Sequence, residues 1–308
     1  MKKRGFRAGL ATLLCAFLIG LSAASPVKAA SILYEIKTVK TLTRGVTLET
    51  RQTITSDGPL DIHVLRAPLN DPYINVAPAD STKDYGLKDT VAALLSERGA
   101  IAGVNGSFFG VAGTYSAAFG PVIKDGQLIS VSGDINQGKE DFGALFIDNQ
   151  SAPFFSFLKT SMHFYHDGQE NIEVNSYNTI TDMEYPVIVT TAALQNTSSL
   201  DGRFSGLVKI LVRNQEIFYI SAPGETVSIP ADGFALIIKK ETAERVGASF
   251  QTGQRAELRV EPSVDFSQIK MAIGGGGLIL RGGEFVKTGT VIEGRQPRTA
   301  VGISQDKT

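Results

Sequence analysis

The sequence predicts an α+β fold: a strand-rich mixed sheet with a few packed helices, in a single domain. Three observations carry this reading. Short runs of β-branched and aromatic residues recur from Val46 to Ile303, with turn residues between them. Only two stretches place apolar residues at helical spacing. No internal repeat, low-complexity tract or Pro- and Ser-rich linker divides the 308 residues.

Residues 46–54 alternate β-branched and polar side chains, as a half-buried strand does. Asp57-Gly58-Pro59 turns the chain, and residues 60–66 form the returning strand. Leu87, Val91, Leu94, Leu95 and Arg98 lie on one helical face, and Gly99 stops that helix. Residues 100–104 read as a short apolar strand. Residues 122–124 and 127–129 flank Asp125-Gly126, a strong two-residue hairpin signal. Strands follow over 142–147 and 154–158, then a long hairpin over 207–220 turning at Asn214-Gln215. A buried strand at 234–238, a short helix at 241–247 and a strand at 256–260 come next. Residues 269–273 lead into Gly274-Gly275-Gly276-Gly277, with Leu278-Ile279-Leu280 beyond. Residues 299–303 read as a core strand, and the polar residues after it as a turn whose returning strand is expected in a longer domain.

The N-terminus has the order of a secretory signal. Lys2, Lys3 and Arg4 precede an apolar run from Leu10 to Ala24, and Val27-Lys28-Ala29 offers small residues to a signal peptidase. The run is about 15 residues, short of the roughly 20 that span a bilayer. We therefore expect a signal peptide over 1–30 and a secreted or cell-surface domain over 35–308; an uncleaved anchor is the alternative. Cys15, the only cysteine, lies inside the apolar run, and Leu13-Leu14 before it lacks the small residues of a lipidation site. The mature chain thus has no disulfide, thiolate metal site or cysteine nucleophile.

Charge is balanced at net −1, and no basic stripe with interleaved aromatics points to nucleic acid. No second apolar stretch reaches membrane-spanning length. The absence of Trp argues against a glycan module built on indoles, although eight Tyr could take that place. No cofactor and no metal are expected, and the oligomeric state is not readable from the chain.

Three segments can carry chemistry. In Val104-Asn105-Gly106-Ser107-Phe108-Phe109-Gly110, Gly106 permits a tight turn and Asn105 presents an amide that donates and accepts. Phe108 and Phe109 either floor a sugar ring or enter the core. In the run 274–277, successive glycine N–H groups could cradle an anion, or simply serve a bulge or hairpin. In Arg295-Gln296-Pro297-Arg298-Thr299-Ala300-Val301-Gly302, Pro297 fixes the backbone before Arg298. Arg298 either holds a phosphate in its planar fork or closes an ion pair with a carboxylate such as Glu293.

Together these segments resemble the phosphodiester glycosidase family. The family pattern runs Asn-Gly-x-Phe-Phe, then Ala-Ile-Gly-Gly-x-x-x-Leu, then Pro-Arg-Thr-Ala-Val-Gly. Here it stands as Asn105-Gly106-Ser107-Phe108-Phe109, Ala272-Ile273-Gly274-Gly275-Gly276-Gly277-Leu278 and Pro297-Arg298-Thr299-Ala300-Val301-Gly302. Gln296 replaces a frequent His. Members also continue into Asp-Gly-Arg and Asp-Gly-Gly-Gly-Ser motifs, which lie beyond this sequence, so the C-terminal part of the domain is expected to be missing.

The resemblance implies hydrolysis of a sugar 1-phosphodiester at the glycosidic carbon–oxygen bond. It implies Asn105, Arg298 and Thr299 as catalytic residues, and Gly106, Phe108, Gly274, Gly275 and Gly276 as substrate-binding residues. Such cleavage usually uses two carboxyl groups. Glu293, Asp141 and Asp125 are the candidates present, and spacing selects none of them. The alternative is an exported domain, or an inactive truncated relative, that binds cell-wall glycan or sugar-phosphate polymer without turnover.

Overall fold

The computed structural model describes residues 30–81, 86–110, 116, 118–132, 143–167, 172–180, 183–245, 250–289 and 294–305. In chain order they form β1 (Ile32–Thr43), β2 (Val46–Thr55), β3 (Gly58–Arg66), helix α1 (Val91–Arg98), β4 (Val122–Lys124) and β5 (Gln127–Ser132). Then come β6 (Gly143–Asp148), β7 (Pro153–Phe157), β8 (Thr160–His166), β9 (Ile172–Glu173), β10 (Ser176–Tyr177) and β11 (Val187–Val189). A one-turn helix α2 (Ser198–Asp201) precedes β12 (Leu207–Arg213), β13 (Glu216–Ile220), β14 (Gly233–Lys239) and helix α3 (Lys240–Arg245). Last are β15 (Ala256–Pro262), β16 (Ile269–Gly274), β17 (Leu278–Arg281) and β18 (Glu284–Thr288). The chain is α+β, as predicted, with a mixed sheet and three short helices among the described residues. The signal peptide expected over 1–30, except residue 30, lies outside the described residues, as do Asp141, Glu293 and residues 306–308.

Packing divides the chain into two units. One comprises residues up to Thr38 with Thr50–His63; the other comprises Val39–Glu49 with Val64 onward. The first holds most of a three-stranded sheet ordered β1-β2-β3. The second holds a ten-stranded sheet ordered β13-β12-β14-β11-β10-β5-β4-β16-β6-β7, a smaller sheet β15-β8-β9 and the hairpin β17-β18. The large sheet is mixed because β10 pairs parallel with β11 and antiparallel with β5.

Local chemistry sets the hairpins. Asp125 and Gly126 have φ of 51° and 77°, and Asn214 and Gln215 have φ of 50° and 60°. Two-residue turns of this kind need positive φ at both positions, which Asp, Asn and Gly tolerate. Helix α1 begins one turn later than the periodicity suggests. Thr90 stays extended, and its hydroxyl accepts the Ala93 N–H at 3.2 Å, so the cap sets the start. Gly99, in the left-handed region at φ 62°, ends it.

Two predicted strands do not form. Residues 100–104 and 299–303 are irregular, with Ile101, Val104 and Val301 each more than half exposed. An apolar run becomes a strand only where a neighbour completes its ladder, and neither run is paired among the described residues. Conversely β1, β8, β9, β10, β11 and β18 were not predicted.

The core follows strand parity. In β14, Leu236 and Ile238 join one apolar cluster, while Ala235 and Ile237 join another. In β11, Ile188 faces the first cluster, and Val187 and Val189 face the second. These strands are buried on both faces, which is why they read as unbroken apolar runs. On one face the small sheet brings Met162, Phe164 and Ala256. On the other pack Leu194, Leu200, Val227 and Ile229. Lys209 of β12 is the exception in the second layer. It is fully buried, ion-paired to Asp201, and donates to the Glu225 carbonyl at 2.6 Å.

Candidate functional site

The end of β16 places the glycine run. β16 lies between β4 and β6, with Ile273 opposite Val122 and Leu145, and Gly274 opposite Ala144. Past the strand, the Gly275 N–H donates to the Gly143 carbonyl at 2.8 Å, and the Gly143 N–H returns a bond to Gly276 at 2.7 Å. The run is therefore clamped to the start of β6. Gly275 gives its N–H to protein, so this donor is not offered to an anion, as the cradle reading required.

The Asn105–Phe109 segment meets this clamp. The Ser107 N–H donates to the Gly274 carbonyl at 2.9 Å. Ser107 itself adopts φ 54°, and its hydroxyl donates to the Phe119 carbonyl at 2.6 Å. The Phe119 N–H closes the loop on the Phe108 carbonyl at 2.9 Å. Two glycines are required by close approach. A Cβ on Gly274 would lie 2.2 Å from the Phe119 carbonyl oxygen, and one on Gly106 would lie 2.3 Å from the Ile273 side chain. Two of the three sequence motifs, about 160 residues and more apart in the chain, thus form one junction.

At its surface Asn105 and Gly106 are exposed. Phe108 is half-buried, whereas Phe109 is exposed and bridges to Ala118. Of the two, Phe109 is the more open to a ligand. Lys88, which the sequence reading passed over, extends its ammonium to the Gly110 carbonyl at 3.1 Å. Ser116 supports the same backbone, its hydroxyl accepting the Gly110 N–H at 2.7 Å. The only sequence signal for Lys88 is that it is a cation just ahead of a helix cap.

The third motif is placed differently. Arg298 and Thr299 are exposed, in an irregular segment rather than at the mouth of a core strand. The guanidinium of Arg298 donates to the Gln296 side chain and the Pro297 carbonyl, both at 3.3 Å, and to the Gly294 carbonyl at 3.4 Å. These bonds lie within its own segment. Asp125 lies in the turn between β4 and β5, away from this junction. Its turn sits beside Lys270, to whose carbonyl Gly126 donates, four residues down β16 from Gly274. At 3.3 Å per residue that is roughly 13 Å from the junction. Among the described residues, no group of three His, Cys, Asp or Glu side chains could hold a metal ion. Nor is any helix among them long and apolar enough to cross a membrane.

No family model matches the sequence, and neither does any curated protein. Solved structures do match the fold. A hypothetical protein from Synechocystis superposes with a TM-score of 0.63 at 17% identity, over 82% of this chain and 46% of its own. A candidate exported protein from Burkholderia pseudomallei K96243 superposes with a TM-score of 0.61 at 13% identity, over 81% of this chain and 73% of its own. The chain spans just under half the length of the first. At these identities the likeness is one of fold alone.

Proposed function

We propose that the protein is an exported hydrolase that cleaves a sugar 1-phosphodiester at the glycosidic carbon–oxygen bond. The observation that carries this reading is the junction in which Asn105–Phe109 and Gly274–Gly276 are held together by the Ser107–Gly274 bond, with Asn105 and Phe109 left open to solvent. It accounts for two of the three motifs that resemble phosphodiester glycosidases. Export is supported by the charged and apolar N-terminus and by the likeness to a candidate exported protein.

In the reaction, the bond from the sugar C1 to the phosphate oxygen breaks, and water adds its hydroxyl to C1 and releases a proton. The leaving group is a phosphate monoester whose last proton has a pKa of about 6, so it departs without strong general-acid help. It needs charge stabilisation, which the exposed Arg298 guanidinium would supply beside the Thr299 hydroxyl. Asn105 would orient a sugar hydroxyl, with Phe109 under the ring. Hydrolysis in 18O-labelled water tests the reading: the label should enter the sugar. Label in the phosphate, or no turnover of any sugar 1-phosphodiester by the exported protein, would overturn it. A second reading, a glycan-binding domain without turnover, is favoured by the Gly275 N–H being committed to Gly143. It predicts saturable binding of the same diesters without release of sugar.

A further inference from the structure

At the opposite end of the large sheet from β16, strand β13 carries a bulge. Val212 pairs with Ile217 and Leu211 with Tyr219, so Phe218 is the extra residue. Ile217 holds the slip in place: its N–H donates to the Gln254 carbonyl, and its carbonyl accepts from Gly253, both at 2.8 Å. The bulge changes the strand's parity. Val212 and Ile217 face the first apolar cluster, and Leu211 faces the second. Phe218 and its neighbour Tyr219, which a regular strand would send to opposite faces, therefore share one side with Arg213.

That side is a shallow, open groove of about 450 Å³. Both aromatic residues are 39% exposed in it. Its polar groups are held in place. The Arg213 guanidinium lies 4.7 Å over the Phe218 ring and bonds Asp232 at 2.7 Å. The Glu225 carboxylate accepts the Tyr219 hydroxyl at 2.6 Å and the Ala222 N–H at 2.8 Å. These two bonds hold its pKa below the usual value, so it is an anion at neutral pH. The Glu225 main chain is fixed from below by buried Lys209.

We propose that this groove is a binding site for an uncharged oligosaccharide. A sugar ring offers an apolar C–H face to aromatic side chains and hydroxyls to a fixed carboxylate and guanidinium, and the groove presents both. An anionic ligand is disfavoured, because Arg213 is already paired and Glu225 repels it. Binding here does not depend on turnover at the Asn105–Gly276 junction, seven strand positions away in the sheet order.

The test uses the mature protein and calorimetric titration with maltotetraose, cellotetraose and chitotetraose. At least one should bind saturably at millimolar concentration or below. Phe218→Ala and Tyr219→Ala should each weaken it roughly tenfold. Tyr219→Phe, which keeps the ring, guards against a folding defect and should lose less affinity than Tyr219→Ala. Saturation by none of the three sugars, or undiminished binding by the folded Phe218→Ala variant, would overturn the proposal. So would a tighter response to an anionic sugar than to its neutral counterpart.

Discussion

The glycine run yields a stability experiment whose outcome is set by what each added methyl would strike. In Gly274→Ala the new Cβ would lie 2.2 Å from the Phe119 carbonyl oxygen and 3.1 Å from the Gly120 Cα. Both are backbone, and β16 is held between β4 and β6, so neither side can yield cheaply. We expect a loss of about 3 kcal/mol, the upper part of the overpacking range. For a chain of this size that is a fall in Tm of roughly 5 °C. In Gly106→Ala the obstacle is the far end of the Ile273 side chain at 2.3 Å, which can change rotamer at about 1 kcal/mol. In Gly275→Ala the nearest atom is the Gly143 carbonyl oxygen at 3.6 Å, an ordinary contact. Lost freedom of the unfolded chain should then make that variant neutral or slightly more stable. Thermal unfolding of the three variants beside the parent gives the order directly. Equal melting of Gly274→Ala and Gly275→Ala would refute the packing argument at this junction, and with it the claim that close approach requires Gly274.

Three further outcomes are expected. Asp201→Ala should cost about 3–5 kcal/mol in urea unfolding, because it strips the carboxylate from fully buried Lys209, and Lys209→Met in the same chain should recover much of that loss; a cost near zero for Asp201→Ala would remove the pair from the account. His166 packs against Phe250 and Phe164, and burial holds its pKa below 6.5, opposed by Gln254 and Asp167. The unfolded chain then takes up a proton near pH 6.5 before the folded one does, so stability is full above that pH and falls as pH drops through the folded value. His166→Phe should flatten this acid limb, and an unchanged slope would assign it to other groups. Arg298→Lys keeps the charge but loses the fork, so kcat on a sugar 1-phosphodiester should fall on the order of 100-fold per folded molecule; normal turnover would leave Arg298 a structural residue.

Turn chemistry is local, and for that reason it was legible. Asp125-Gly126 and Asn214-Gln215 carry their conformations in their own side chains and backbones, and both hairpins stand where the sequence placed them. The strand over 234–238 was legible because burial on both faces leaves an unbroken apolar run, and the strand over 269–273 because four of its five residues are apolar. The sequence likewise singled out Asn105, Gly106 and the run 274–276, and the structure brings these together. What the sequence alone could not decide depends on partners. Residues 100–104 and 299–303 have the composition of strands, but pairing is a property of two segments, and no pairing is seen for them among the described residues. The role of each glycine was equally hidden. Gly274 is a contact with Phe119 and Gly275 a donor to Gly143, distinctions made by neighbours more than 130 residues away. Which phenylalanine faces solvent, and that Phe218 and Tyr219 share a face, follow from a turn and a bulge. Composition and local turns determine that this chain forms a strand-rich fold; only the register of distant strands decides which side chains meet, because a single-residue slip sends every side chain to the other face.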